Sequence, residues 1–178
     1  MIAAIDNSFL CILFHEGARL SGGKGLSPLE LERRRKQIEY LIKTLSEDRS
    51  KLIVPTPALA ELLMLPGLHL ESALERIDRQ VVFKIQPFDT RAAMEMSRLS
   101  TVGIGEDKFK GQEGGWTKIK FDRQIVAIAK VAECETILTT DGPLANLAKR
   151  EDLTVIMLDD LPDPPAEDVP LFTQTEQK

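Results

Sequence analysis

The sequence predicts an α/β fold: a three-layer α/β/α sandwich around a central, mostly parallel sheet of about four to five strands. Two observations support this architecture. Short apolar runs alternate with segments of helical spacing along residues 1–158, and this alternation is typical of a parallel sheet covered by helices on both faces. In addition, 43% of the 178 residues are hydrophobic and 29% are charged, which is ordinary for a globular chain with a sizeable core.

In the N-terminal half, each predicted strand is followed by a helix. The apolar run Ile2–Ile5 ends at Asp6 and leads into a helical segment, Phe9–His15. After a glycine-rich loop, Ser27 and Pro28 are the N-cap and first-turn residues expected at the start of a long helix. The next strand and the next two helices are predicted over Leu52–Val54, Thr56–Met64 and Leu68–Arg79.

The C-terminal half continues the alternation. The β-branched segment Val81–Ile85 predicts a third strand, and Asp89 predicts the N-cap of the helix after it. Thr101–Lys118 is rich in glycine and charge and predicts a long loop. The remaining predicted elements are a helix over Phe121–Glu133, a strand over Thr136–Thr140, a helix over Gly142–Lys149 and a strand over Thr154–Leu158.

The charge of the chain is concentrated at its C-terminus. Residues 159–178 contain six acidic side chains and one basic side chain, which accounts for the whole net charge of −5. The proline-rich stretch DDLPDPPAEDVP predicts an extended tail after a single domain over residues 1–158. Because the rest of the chain is electrically balanced, it lacks the basic footprint of a typical nucleic-acid-binding surface.

The cysteines and the hydropathy pattern exclude several classes of protein. Cys11 and Cys134 are the only cysteines; they are too few for a disulfide framework and are expected to be core thiols in a reducing cytoplasm. No apolar stretch approaches the roughly 18 residues of a membrane-spanning helix. A membrane protein and a secreted disulfide scaffold are therefore not expected.

Acidic residues occur where two predicted strands end. Asp6 and Asp141 each follow a strand and precede a helix. Ligands of open parallel sheets bind at the carboxyl ends of the strands, so these two carboxylates are candidates for a shared site. Taken singly, each residue is explained more simply as a helix N-cap.

Two further acids lie on predicted helices. Glu61 is the only charged residue in Pro57–Leu65, and a carboxylate among apolar neighbours is either exposed at the end of an element or buried with a partner. Asp122 lies at the edge of a buried helical stripe, between Val126 and Ala129 on the helical wheel. Favourable charge at a helix N-terminus is the alternative role for Asp122.

Taken together and in order, these acids resemble the motifs of the PIN-domain nucleases, a family that includes the VapC-type toxins of bacterial toxin–antitoxin pairs. The resemblance extends over about residues 1–158. By the same resemblance, Ser8 and Thr139 are similar to the hydroxyl positions that support the acids. The matching segments are DNS with Asp6, PTPALAEL with Glu61, FDRQIVAIA with Asp122 and LTTDGPL with Asp141.

The resemblance implies an acidic pocket in which all four acids hold Mg²⁺ or Mn²⁺ and catalyse the hydrolysis of RNA phosphodiester bonds. The chemistry agrees, since several converging carboxylates cannot all stay ionised without cations. Oxygen ligands suit Mg²⁺ and Mn²⁺ better than zinc. The resemblance thus implies a cytoplasmic nuclease with RNA as its substrate. It also suggests two protein partners: an antitoxin protein and a second copy of the chain.

Basic residues surround the tryptophan in and after the predicted loop. They suggest a lid that contacts RNA through charge and base stacking, although an ordinary mobile loop explains them equally well. On the long helix, the run Arg33–Lys36 suggests phosphate contacts or, more simply, a solvated face. The candidate RNA-binding residues are Lys108, Lys110, Trp116, Lys118 and Lys120.

Two other interpretations remain open. A PIN-like domain that binds RNA or a protein without cutting is suggested by the electrical neutrality of residues 1–158 and by Pro143. This proline stands two residues after Asp141, where many family members carry another acid. A phosphatase of the haloacid dehalogenase type also begins with an aspartate at a strand end. That class needs a second aspartate at the position occupied here by Ser8, so it is the weakest interpretation.

Overall fold

The computed structural model describes residues 1–15, 25–101 and 115–165. The strands are β1 (Ile2–Ile5), β2 (Lys51–Pro55), β3 (Phe83–Gln86), β4 (Thr136–Leu138) and β5 (Thr154–Ile156). The helices are α1 (Asn7–Phe14), α2 (Pro28–Glu47), α3 (Thr56–Leu63), α4 (Leu70–Arg79), α5 (Thr90–Thr101), α6 (Gly115–Val131) and α7 (Gly142–Arg150). All strand pairs are parallel and form one sheet in the order β3-β2-β1-β4-β5. The predicted α/β/α architecture is confirmed.

Strand β1 is the centre of the sheet. Its residues Ala3, Ala4 and Ile5 are completely buried, and Ala4 is paired with Ile53 of β2 on one side and Ile137 of β4 on the other. The first crossovers lead outward from β1 to β3, and the next one returns past β1 to β4. The order in which strands are added to the sheet therefore reverses between β1 and β4. In open α/β sheets, the ligand crevice lies outside the carboxyl ends of the strands at such a switch point.

Side-chain caps determine where two helices begin, as predicted. Ser27 Oγ accepts a hydrogen bond from the backbone N of Glu30 at 3.2 Å, directly before α2. Asp89 Oδ1 accepts one from the backbone N of Ala92 at 2.9 Å, directly before α5. These bonds satisfy N–H groups that a helix leaves unpaired in its first turn. No helix in the described part of the chain is long and apolar enough to cross a membrane.

The third strand begins later than predicted. The range Val81–Ile85 was expected from its β-branched residues, but β3 begins at Phe83. The backbone N of Phe83 donates to the carbonyl oxygen of Gln80 at 3.0 Å and closes a turn, in which Val81 is 80% exposed. Hydrophobic character alone does not distinguish a strand from the apolar turn that precedes it.

The last two strands end earlier than predicted. The strands expected to reach Thr140 and Leu158 end at Leu138 and Ile156. After β4, the chain turns to bind the residues that follow β1. After β5, the backbone N of Met157 donates to a carboxylate oxygen of the following 3-10 turn at 2.8 Å. Both ends are set by hydrogen bonds that the local pattern does not reveal.

The loop predicted over Thr101–Lys118 is wrong at both ends. Thr101 is the last residue of α5, and α6 begins at Gly115, well before the predicted start at Phe121. Glycine and charge in this segment conceal the first turns of a helix. The residues between the two helices, 102–114, lie outside the described ranges, as do 16–24 and 166–178.

The residues after β5 pack against α2. Leu158 and Leu161 are 4% and 6% exposed, respectively. The buried side chain of Gln37 donates to the carbonyl oxygen of Leu161 at 3.1 Å and to Asp163 Oδ1 at 3.0 Å. The division of the chain into a domain over 1–158 and a tail over 159–178 stays a prediction, while residues 158–163 are in contact with the domain.

The basic run of α2 binds other parts of the same chain. Its members donate to internal carboxylates and carbonyls, so the run is neither a simple solvated face nor a set of unengaged phosphate ligands. The contacts are Arg33 to both carboxylate oxygens of Asp163 at 2.9 and 2.7 Å, Arg34 to Asp159 and to the Leu158 carbonyl at 3.3 Å, Arg35 to the Ile12 carbonyl at 3.0 Å, and Lys36 to Glu32 at 2.9 Å.

Replacing Leu161 tests whether this segment belongs to the folded unit. Leu161→Ala should lower the free energy of unfolding by about 2–3 kcal/mol, because it removes buried methyl groups and leaves a cavity. Asp159→Ala, at an exposed position in the same segment, should cost at most about 1 kcal/mol. Urea denaturation followed by circular dichroism measures both. Equal effects of the two substitutions would contradict the packing of Leu161.

Candidate functional site

Asp6 lies at the end of the central strand and caps the first helix. Its backbone N donates to the carbonyl oxygen of Leu138, which continues the pairing of β1 with β4 by one residue. Its Oδ1 accepts hydrogen bonds from the backbone N of Ser8 at 2.9 Å and of Phe9 at 3.3 Å. The side chain is only 4% exposed. The carboxylate is therefore fixed in position by the fold.

Two hydroxyl groups connect Asp6 to the turn after β4. The Ser8 hydroxyl donates to Asp6 Oδ1, and the Thr139 hydroxyl donates to Asp6 Oδ2. In turn, Ser8 Oγ accepts from the backbone N of Thr140 at 2.9 Å, and Thr139 Oγ1 accepts from the backbone N of Asp141 at 2.9 Å. The ends of β1 and β4 are thus joined by a closed network, in which Ser8 and Thr139 hold the first acid.

Burial opposes the ionisation of Asp6. Removal from water raises its pKa from 3.8 to about 6, and the hydrogen bonds from Ser8 and Thr139 lower it only in part. A carboxylate held in this way is more easily ionised when a cation is close by, because an opposite charge favours the charged form. The site at the switch point therefore has a carboxylate whose charge is not compensated by hydrogen bonds alone.

Asp141 is the second acid of this network and caps another helix. Its Oδ1 accepts a hydrogen bond from the backbone N of Leu144 at 3.0 Å, at the start of α7, and its side chain is 8% exposed. The two explanations considered for Asp6 and Asp141 are compatible, because both residues cap helices and both lie at the carboxyl edge of the sheet. Pro143, which follows Asp141, is exposed near the start of α7.

Glu61 approaches the site from α3. It is half-buried, and α3 packs against both α1 and α6. Burial is the main reason why the pKa of the Cys11 thiol on α1 is raised, and the negative charges of Asp6 and Glu61 raise it further. Electrostatic effects of this kind act over short distances. The structure therefore brings Asp6 and Glu61 to the same region.

Asp122 approaches from α6 and is also half-buried. Helix α6 leads into β4, so it runs from the carboxyl edge of the sheet to the amino edge. Asp122 lies about 13 Å along the helix from Val131, at about 1.5 Å per residue, and a strand as short as β1 is also about 13 Å long. We therefore expect Asp122 to lie nearer the carboxyl edge of the sheet than Val131 does.

The carboxylate oxygens of the four acids are donors that suit a hard divalent cation. The four side chains are not all close enough together to coordinate one ion as they stand. Within the described residues, no group of three or more histidine, cysteine, aspartate or glutamate side chains is arranged to hold a metal ion. Direct ligation by more than two acids therefore requires some movement, and Glu61 and Asp122 are the more exposed of the four acids. The buried hydroxyl of Thr140, beside Asp141, has no hydrogen-bond partner among the described residues.

The candidate RNA-binding residues are only partly described. Lys108 and Lys110 lie outside the described ranges. Trp116, Lys118 and Lys120 belong to α6 and not to a loop, which corrects their predicted setting. Lys120 is exposed on that helix. Their proposed contact with RNA stays a prediction.

No role in this region was predicted from the sequence for the side chains of Asn7 and Cys11. Cys11 was expected to be a core thiol, and it is indeed buried, but its Sγ donates to Asn7 Oδ1 at 3.1 Å. The spacing of four residues on a helix could have indicated this contact, since such residues lie one turn apart on the same face.

The raised pKa of Asp6 leads to a pH-dependent stability. Between pH 4 and pH 6 the folded chain holds a proton that the unfolded chain has lost. Stability should therefore fall as pH rises, by about 2 kcal/mol between pH 4.5 and pH 7.5. Asp6→Asn should remove this part of the pH dependence and keep the cap of α1. Urea denaturation in EDTA at pH 4.5 and pH 7.5 measures the difference.

A matched control for this experiment is Asp89→Asn, since Asp89 caps α5 at an exposed position. The Asp89→Asn variant should retain the pH dependence of the unaltered chain. If the Asp6→Asn variant retained it as well, the assigned effect of burying the Asp6 carboxylate would be wrong.

Comparison with known proteins gives matches at the level of structure. No family model and no curated protein matches this chain. VapBC2 from Rickettsia felis, bound to a DNA fragment from its promoter, matches with a TM-score of 0.50 and 14% identity over 88% of this chain and 98% of the other. DNA-bound VapBC from Salmonella typhimurium matches with a TM-score of 0.51 and 12% identity over 89% and 98%, respectively. At such identities the likeness establishes the fold, and the chain accordingly has the VapC-like PIN-domain fold that its motifs predict.

Proposed function

We propose that this chain is a metal-dependent ribonuclease that hydrolyses RNA phosphodiester bonds. The observation that carries the proposal is the network joining Asp6, Thr139 and Asp141 at the switch point of the sheet. It fixes one buried carboxylate and links it through the Thr139 hydroxyl to the backbone of a second acid, although burial raises the pKa of the first. Such an arrangement costs stability in a protein without a cation, and functional sites are where such costs are commonly found.

The four acids have different roles in this proposal. Asp6 and Asp141 are fixed ligands, because caps and hydroxyl groups hold them. Glu61 and Asp122 lie on the adjoining helices and complete the ligand set by turning toward them. Bound Mg²⁺ or Mn²⁺ supplies an activated water and stabilises the negative charge that develops on the phosphate oxygens.

The fold also suggests a biological setting. The two similar structures named above are VapBC complexes bound to DNA. By analogy, we propose that this chain is the toxin of a toxin–antitoxin pair and is inhibited by a small partner protein. Because a fold hosts several functions, this analogy is weaker support than the geometry of the site.

A non-catalytic RNA- or protein-binding module is the second candidate. The observation that favours it is the loose spacing of the acids, together with proline at residue 143, where many members of the family carry another acid. In that case the acidic residues act only as caps and partners within the fold. The two candidates differ in whether a divalent cation binds at the site and whether RNA is cut.

Replacing Asp141 distinguishes the two candidates. Asp141→Asn keeps a good N-cap and removes one charge, so the metal-free variant should be at least as stable as the unaltered chain. Cleavage of single-stranded RNA in Mn²⁺ should fall by at least about 100-fold, because the metal ligands carry most of the catalysis. The rise in melting temperature on addition of Mn²⁺ should also become smaller.

The control is again Asp89→Asn, which changes an exposed capping acid far from the proposed ligands in the sequence. It should leave both the cleavage rate and the response to Mn²⁺ unchanged. An Asp141→Asn variant with normal cleavage and a normal Mn²⁺ response would show that Asp141 is a structural cap only.

Expression in bacteria tests the toxin proposal separately. Induction of the unaltered chain should arrest growth, and induction of the Asp141→Asn variant should not. Co-expression of a small protein encoded next to this chain should relieve the arrest. Equal growth with and without induction of the unaltered chain would refute the toxin role and leave the nuclease proposal standing.

A further inference from the structure

Asn7, the first residue of α1, accepts a hydrogen bond from a buried thiol. Asn7 directly follows Asp6, and its Oδ1 accepts a hydrogen bond from Cys11 Sγ at 3.1 Å, one turn along the helix. Cys11 is 8% exposed, whereas Asn7 is half-buried. A buried side chain therefore fixes one that lies partly in contact with solvent, next to the first acid of the site.

The hydrogen bond from the thiol fixes how the Asn7 amide is oriented. Burial, followed by the negative charges of Asp6 and Glu61, raises the pKa of Cys11 to about 12. The thiol thus stays protonated, and in the structure its S–H donates to the oxygen of the amide. The NH₂ group, on the other branch of the planar amide, is directed away from the thiol.

The amide nitrogen of Asn7 is available to a ligand. Among the residues that the structure describes, Asn7 Nδ2 donates to no partner. It is a neutral donor in a region where Asp6 and Glu61 supply negative charge. A phosphate group entering this region is repelled by the carboxylates, so a donor beside them favours its binding.

We propose that Asn7 donates a hydrogen bond from Nδ2 to a phosphate oxygen of the bound nucleic acid, and that Cys11 is the positioning residue that keeps Asn7 in this orientation. The inference deepens the proposed nuclease function and rests on it for the identity of the ligand. It assigns a substrate contact to Asn7, which is not one of the four proposed metal ligands.

Kinetics of RNA cleavage test the pair. Asn7→Ala should raise KM about tenfold and change kcat by less than about twofold, since the lost bond is made equally in the ground state and the transition state. Cys11→Ala should also raise KM. Cys11→Ser restores a donor, so its KM should lie within about twofold of the KM of the unaltered chain. The double variant Asn7→Ala with Cys11→Ala should be no worse than Asn7→Ala alone.

A spectroscopic measurement makes the test independent of activity. The side-chain NH₂ signals of Asn7 are identified in an ¹⁵N–¹H spectrum by their loss in the Asn7→Ala variant. Addition of a short RNA in EDTA, which removes the divalent cation that the proposed cleavage requires, should shift these signals in the unaltered chain and in Cys11→Ser. The shift should be absent or much smaller in Cys11→Ala.

The outcomes separate this inference from the proposed function. If the unaltered chain cuts no RNA, the nuclease proposal fails, and the spectra alone decide whether Asn7 binds phosphate under the control of Cys11. If the NH₂ signals of Asn7 did not shift on addition of RNA, the inference would be overturned even for an active nuclease. It would also be overturned if Cys11→Ser behaved like Cys11→Ala, or if the effects of the two single variants simply multiplied in the double variant.

Discussion

The buried carboxylate of Asp6 is the constraint on which the rest of the site depends. It ends the central strand, caps α1 and accepts the hydroxyl groups of Ser8 and Thr139. These bonds join the turn after β1 to the turn after β4 across the switch point of the sheet. Because burial raises the pKa of Asp6 and the hydrogen bonds offset this only in part, the same contacts that define the fold leave a charge that a cation would stabilise.

Capping and ligand binding are combined in the same residues. Asp6 and Asp141 each accept backbone N–H groups at the start of a helix, with one carboxylate at each of two neighbouring strand ends. An asparagine would cap either helix about as well, so the cap does not require the negative charge. The charge is the property that the proposed chemistry uses, and Asp→Asn substitutions separate the two roles.

The periphery of the domain is held by contacts that link distant parts of the chain. Residues 158–163 bind α2 through Arg33, Arg34 and Gln37, and Leu161 is buried against the domain. The acidic character of this segment suggested a tail, and the structure uses two of its acids as partners of arginines. At 12–14% identity the structures compared above share this fold.

The sequence by itself determined the fold class and the order of the elements, because the period of apolar residues and the capping residues Ser27 and Asp89 are local properties of the chain. It also placed Asp6 and Asp141 at one edge of the sheet, since the carboxyl ends of parallel strands lie at one edge. Only the tertiary structure decided where β4 ends, how Asp6 and Thr139 are bonded, and that residues 158–163 pack on α2. Each of these depends on hydrogen bonds or burial between segments more than 100 residues apart, and no local pattern in the sequence records such contacts.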